Sequence, residues 1–143
     1  MDRVSADTLL GLPVRLHGIR LGRPVDVVLE PSSLRTVGLQ VRCGDGVDRF
    51  VPLPAARIRP DEIAVRSALM LLDEGNLAFY TSRGLTFRTV RGSTVTRGGR
   101  MVGELEDIVL ASDGSPLQFV LADGRRIPFG DDVHVDLGRA SAA

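Results

Sequence analysis

The chain has 143 residues, 43% of them apolar and 25% charged, which places it among globular proteins of one ordinary domain or two very small ones. Its net charge is zero, so no overall field argues for nucleic acid or a membrane surface, and all 18 basic residues are Arg, which reads first as codon bias in a GC-rich genome. A single cysteine, Cys43, excludes an internal disulfide and a Cys-based metal site. The first residues form no signal peptide and no window approaches 18 apolar residues, so a cytoplasmic protein without membrane insertion is expected.

Taken in chain order, Ser5 is placed to cap a single helical turn, Ala6–Leu10, ended by Gly11. A short strand, Leu12–Leu16, follows and turns at His17-Gly18 into a long strand, Arg20–Glu30. Within that strand Val25, Val27 and Leu29 face one way, and Asp26 and Val28 the other. After Pro31-Ser32-Ser33, the alternation Val37, Leu39, Val41, Cys43 marks another inward face. Asp45-Gly46 makes a hairpin turn into Phe50–Leu53, whose Pro52 belongs at a strand end or edge. Ile63–Val65 closes the series.

The same series then returns. G-R-P-V-D-V-V-L at Gly22–Leu29 is matched by G-E-L-E-D-I-V-L at Gly103–Leu110, 81 residues on. The offset holds without a gap from Ser5–Glu30 to Thr86–Ala111. Thr86 should therefore cap Phe87–Arg91, Ser93–Arg97 should be a strand, and Gly98-Gly99 should feed Met101–Ala111. Beyond Ser112–Ser115 the best match shifts, with Leu117-Gln118-Phe119 set against Leu39-Gln40-Val41 at an offset of 78. Asp123-Gly124 repeats the hairpin turn, Arg126–Phe129 answers Phe50–Leu53, and Val133–Val135 answers Ile63–Val65. Each copy reads as about five short strands in meander order.

Between the copies, Asp73 is placed to cap a helix over Glu74–Arg83 with Gly84 beyond its end. The predicted organisation is a first repeat over residues 5–66, a connector with a short helix over 67–85, a second repeat over 86–137 and a disordered tail over 138–143. Units of 55–65 residues bury too little surface alone, so the copies should pack on each other or dimerise.

The apolar strand, glycine turn, G-x-x-x-D-V/I-V-L, alternating strand, D-G, and V-P-L or I-P-F closed by I-A-V or V-H-V resemble the PRC-barrel family. The resemblance covers Leu9–Val65 and Val90–Val135, and its stand-alone tandem members are the nearest match. It implies an all-β protein of two tandem small PRC-like β-barrels packed together. It also implies a non-catalytic adaptor that docks on protein or ribonucleoprotein partners.

Few residues invite chemistry. His17 and His134 have no second ligand at metal spacing and read as turn or surface residues. Cys43 reads as a buried small hydrophobe. Asp26 and Asp107 occupy the matched position in the two copies; they read as hydrogen-bonding a neighbouring turn, the alternative being a carboxylate pair for acid–base work. No phosphate loop and no nucleophile elbow is present, so no catalytic, cofactor or metal residues are assigned. From Gly75 to Gly103 there is no acidic residue, while Arg83, Arg88, Arg91, Arg97 and Arg100 are all present; the stretch Glu104–Ala143 holds eight acids against three arginines. The five arginines are the candidate partner-binding residues, for a protein or, alternatively, RNA or a ribonucleoprotein. The competing reading, that they face the acidic half of the same molecule or simply water, is the preferred one.

Overall fold

The structure, a computed structural model, describes residues 3–67, 77–78 and 84–137. The described residues are nearly all β, built as two sheets, one of them a curled half-barrel, with two short helices besides the helical pair Leu77-Ala78. In the first repeat, α1 (Ala6–Leu10) leads to β2 (Val14–Leu16), β3 (Ile19–Leu29), β4 (Thr36–Cys43) and β5 (Asp48–Pro52). A 3-10 turn at Leu53–Ala55 then feeds β6 (Ala56–Ile58) and β7 (Ile63–Val65). The second repeat runs α2 (Phe87–Val90), β9 (Thr94–Arg97), β10 (Arg100–Ala111), β11 (Pro116–Leu121), β12 (Arg126–Pro128) and β13 (Val133–Val135). The connector helix expected over Glu74–Arg83 falls almost wholly outside the described residues, as does the tail 138–143; Leu77 and Ala78 are helical.

Helix α1 forms as its sequence requires. Ser5, in extended backbone, accepts the Thr8 amide through its hydroxyl, and the Gly11 N–H closes onto the last carbonyls. Thr86 stands in the same extended conformation before α2, but its hydroxyl meets that of Thr89 and makes no bond to the helix backbone.

The two sheets exchange their leading strands. In the first, the order is β5-β4-β3-β2-β7-β6, and in the second β12-β11-β10-β9-β13. Strand β1 (Arg3–Ser5), which precedes the first repeat, pairs with β10 of the second, Val4 opposite Leu110. Strand β8 (Leu85–Thr86), which precedes the second repeat, pairs with β3 of the first, Leu85 opposite Leu29. Both pairings map onto each other under the 81-residue offset.

This crossing produces one core. Val14, Val27, Leu39 and Ile63 of the first repeat belong to the same buried cluster as Val95, Ile108, Phe119 and Val133 of the second. Leu9, Phe87 and Val90 from the two short helices belong to it as well. A smaller cluster, Val28, Phe50 and Leu77, ties the connector to the first sheet. Phe50 lies over Gly38, where a Cβ would come within 2.3 Å of its ring.

Two expectations are corrected. The matched residues in β4 and β11 are offset by 80, not 78: Val27 pairs with Leu39, and its counterpart Ile108 pairs with Phe119. Val51 and Ile127, opposite Leu39 and Phe119, do correspond as expected. The second hairpin is thus shorter on both sides of its turn, and since a slip of two preserves the pleat, Leu39 and Val41, like Phe119 and Leu121, face the core as expected, whereas Val37 packs against the separate cluster of Val28 and Phe50. The last strands also differ. Strand β7 runs parallel to β2, whereas β13 runs antiparallel to β9. The first repeat contains an additional strand, β6, which reverses the chain before it returns to β2; the second lacks it, so its chain reaches β9 from the opposite direction. The first repeat therefore has six strands of its own, not five.

Candidate functional site

Asp26 and Asp107 each follow a bulge in the long strand, between Pro24 and Asp26 in β3 and between Leu105 and Asp107 in β10. In both, Oδ1 accepts the N–H of the next residue at 2.8 Å, Val27 in one case and Ile108 in the other. The same oxygen reaches across to the other repeat. Asp26 accepts the Arg88 amide of α2 at 3.1 Å, and Asp107 accepts the Asp7 amide of α1 at 3.1 Å. Each carboxylate thus satisfies a first-turn amide of the opposite helix, one of the donors a helix leaves unpaired. Asp26 is buried and Asp107 half-buried. The carboxylates are used in joining the repeats: the partner is the first turn of a helix in the other copy, where the sequence suggested a neighbouring turn.

The arginines of the predicted partner stretch are spread rather than gathered. The Arg88 side chain donates from Nε to the Val25 carbonyl at 2.6 Å. Arg91 lies over the Phe87 ring and bridges the repeats, with Nη2 2.6 Å from Glu106 and Nη1 3.4 Å from Asp7; the Glu106 hydrogen bond raises its pKa. Arg97 is 3.9 Å from Asp132, and Arg100 forms no ion pair among the described residues. Arg83 lies outside the described residues. The four that are described sit on a helix, its end, and a hairpin tip.

His17 is at the β2–β3 turn with φ of 50°, and His134 is exposed in β13. Cys43 is half-buried against the core, at the foot of the hairpin where the Arg49 guanidinium is held by Asp45. Asp45 in turn is held down to about 2, chiefly by that guanidinium and by the Val47 amide. No cluster of three or more His, Cys, Asp or Glu suited to a metal ion occurs among the described residues. Nor is any helix there long and apolar enough to cross a membrane.

Besides larger hollows of about 560 and 520 Å³ beside Leu53 and Val47, two cavities of about 300 Å³ each mark the surface. One lies where the repeats meet, walled by Leu34 of the first and Phe129, Val133, Val135 and Leu137 of the second. Three consecutive residues of β13 line it, and their side chains alternate in direction, so the groove runs along the strand's edge rather than under one face. Among the described residues, strand β13 is hydrogen-bonded on one side only, to β9. Phe129 stands half-open beside it, edge-on to Phe119 at 5.8 Å. Asp131, Asp132 and Asp136 bracket the strand.

The other lies between the His17-Gly18 turn and the β6–β7 hairpin, lined by Arg57, Arg59, Glu62 and Arg66. Sequence reading missed both. The arginines are legible in R-I-R-P-D-E-I-A-V-R, where positions two apart share a strand face, but no local signal there shows that the hairpin folds against the His17-Gly18 turn. The edge groove depends on the direction of β13, which no local signal sets. No family model matches the chain, and none of the curated proteins matches it.

Proposed function

We propose that the protein is a non-catalytic adaptor of the PRC-barrel type, acting in the cytoplasm, whose β13 edge and adjoining groove take an extended segment of a protein partner. The observation that carries this reading is the conjunction of a strand paired, among the described residues, on one side only with a groove of mixed apolar and polar lining along that edge. An added strand gains main-chain hydrogen bonds from such an edge, and its alternate side chains find the groove. Asp131, Asp132 and Asp136 on either side of Val133–Val135 favour a segment whose apolar residues are flanked by basic ones. The shared core and the reciprocal Asp26 and Asp107 bonds support the same reading, because they hold both sheets as one preorganised platform.

The test is capture from lysate with and without nuclease, using the native chain and Phe129→Arg. That substitution places a cation in the groove and repels a basic segment. A protein that is retained after nuclease, lost with Phe129→Arg, and mapped to an extended segment supports the reading. Retention that disappears with nuclease transfers the assignment to RNA, and retention indifferent to Phe129→Arg removes the groove from it.

A further inference from the structure

We propose that the cleft between the β2–β3 turn and the β6–β7 hairpin binds a phosphoryl anion through Arg57, Arg59 and Arg66. Strands β6 and β7 are joined by a four-residue turn, with the Arg59 amide donating to the Glu62 carbonyl at 2.8 Å. The pairing sets Arg57 opposite Ala64. Arg59 is two residues on from Arg57, and Arg66 two residues on from Ala64, so the pleat brings all three guanidinium stems to one side of the hairpin. All three residues line the cavity, and Ala64 is among its lining too, a small residue that leaves the space between them open.

The charges within the cleft are unequal. Glu62 is the one acid that lines it, and that carboxylate is already engaged, 3.4 Å from Arg15 Nη1 and 3.8 Å from Arg59 Nη1. Arg15, which does not line the cavity, and Arg59 share Glu62, so the cavity keeps a net positive charge. Arg57 and Arg66 form no ion pair among the described residues. Each guanidinium presents a planar fork of donors that matches a pair of anionic oxygens. Three guanidinium groups lining about 300 Å³ offer donors enough for the three terminal oxygens of a phosphoryl group, more than the two of a carboxylate require.

The second repeat serves as an internal comparison. It lacks a counterpart of β6, and Gly98-Gly99 occupies the turn where the first repeat has His17-Gly18. His17 keeps a side chain at φ of 50°, a left-handed position filled in the other copy by Gly98 at 59°, and that side chain lines the cleft. The cleft therefore belongs to the strand and turn by which the two copies differ. It sits on the sheet opposite to β13, so it stands or falls apart from the groove described above.

The experiment is a titration of the ¹⁵N-labelled protein with inorganic phosphate at constant ionic strength, followed by amide and arginine side-chain resonances, with sodium chloride as the reference. Saturable shifts at Arg57, Arg59, Ala64 and Arg66, without shifts at Arg97 and Arg100, are expected. Arg57→Ala and Arg66→Ala should each weaken binding about tenfold or more, the scale of losing charge-assisted hydrogen bonds. Arg66→Gln is the substitute should the alanine variant unfold. A parallel titration with glycerol 1-phosphate separates sources: tighter binding points to a phosphorylated organic ligand, equal binding to free phosphate. Shifts no larger than those from chloride, or binding unaffected by both substitutions, would overturn the proposal.

Discussion

Removing the Asp26 carboxylate tests the reciprocal joint between the repeats. Asp26 is 8% exposed, and its Oδ1 accepts two backbone amides, Val27 at 2.8 Å and Arg88 at 3.1 Å. The first bond is to the next residue in the chain and is partly available before folding; the second exists only once the repeats have met. A hydrogen bond to a charged group contributes about 1.5–3 kcal/mol, and truncation leaves the amides without their acceptor. Asp26→Ala should therefore cost about 2–4 kcal/mol, a large share of the roughly 5–15 kcal/mol typical of a folded domain. Asp107, doing the same work half-exposed, should cost less, roughly 1–2 kcal/mol, because water can replace part of what is lost. The assay is urea unfolding followed by far-UV circular dichroism and by amide resonances from each repeat. A single transition is expected in both variants, since the core is shared. A cost under about 0.5 kcal/mol for Asp26→Ala would refute the joint. So would loss of the second repeat's signals while the first stays folded.

Ser5→Ala should destabilise by about 1 kcal/mol, because the hydroxyl caps the Thr8 amide, while Thr86→Ala should cost less than about 0.5 kcal/mol, because its hydroxyl bonds no helix amide; equal losses in urea unfolding would contradict the difference between the two caps. Thr36 Oγ1 is buried without a hydrogen-bond partner among the described residues, so Thr36→Val, which keeps the shape and removes the polar atom, should stabilise by about 1 kcal/mol, and a loss of that size on thermal unfolding would show that the hydroxyl is satisfied. The Glu30 carboxyl is lowered from 4.5 to about 2 by the Ser32 and Ser33 hydroxyls, and Asp45 from 3.8 to about 2 by Arg49. Asp48, Asp113 and Asp123 are lowered too, by Arg42, by the Ser115 amide and by the Arg125 amide respectively. A carboxylate with a depressed native pKa binds fewer protons folded than unfolded, so its stabilisation is complete above the unfolded value and is lost as pH falls through the native one. Thermal stability should hold down to about pH 5 and fall between about 4.5 and 2; a decline beginning above pH 6 would point to other groups.

The repeat could be read because its signals are local. Ser5 before Ala6–Leu10, Asp45-Gly46 and Asp123-Gly124 at hairpin turns, and the alternation in Gly22–Leu29 each follow from residues within a few positions of one another. The exchange of β1 and β8 could not be read. Arg3–Ser5 is a three-residue strand whose partner lies more than a hundred residues away, and nothing in its composition distinguishes β10 from β3 as the mate. The repeated Asp was recognised as structural, but its partner required knowing that the opposite helix lies over the bulge. Val133–Val135 resembles Ile63–Val65 in composition, yet strand direction depends on how often the chain has reversed, and the missing β6 changes that count by one. The Arg57, Arg59 and Arg66 cluster had a legible period, but its meaning depends on the hairpin folding against the His17-Gly18 turn.

Cross-strand nuclear Overhauser effects on the intact chain address the exchange most directly. The account predicts contacts between Val4 and Leu110 and between Leu85 and Leu29, each pair joining the lead-in of one repeat to the long strand of the other. Contacts from Val4 to Leu29, or from Leu85 to Leu110, would mean that each repeat keeps its own leading strand, and would contradict it.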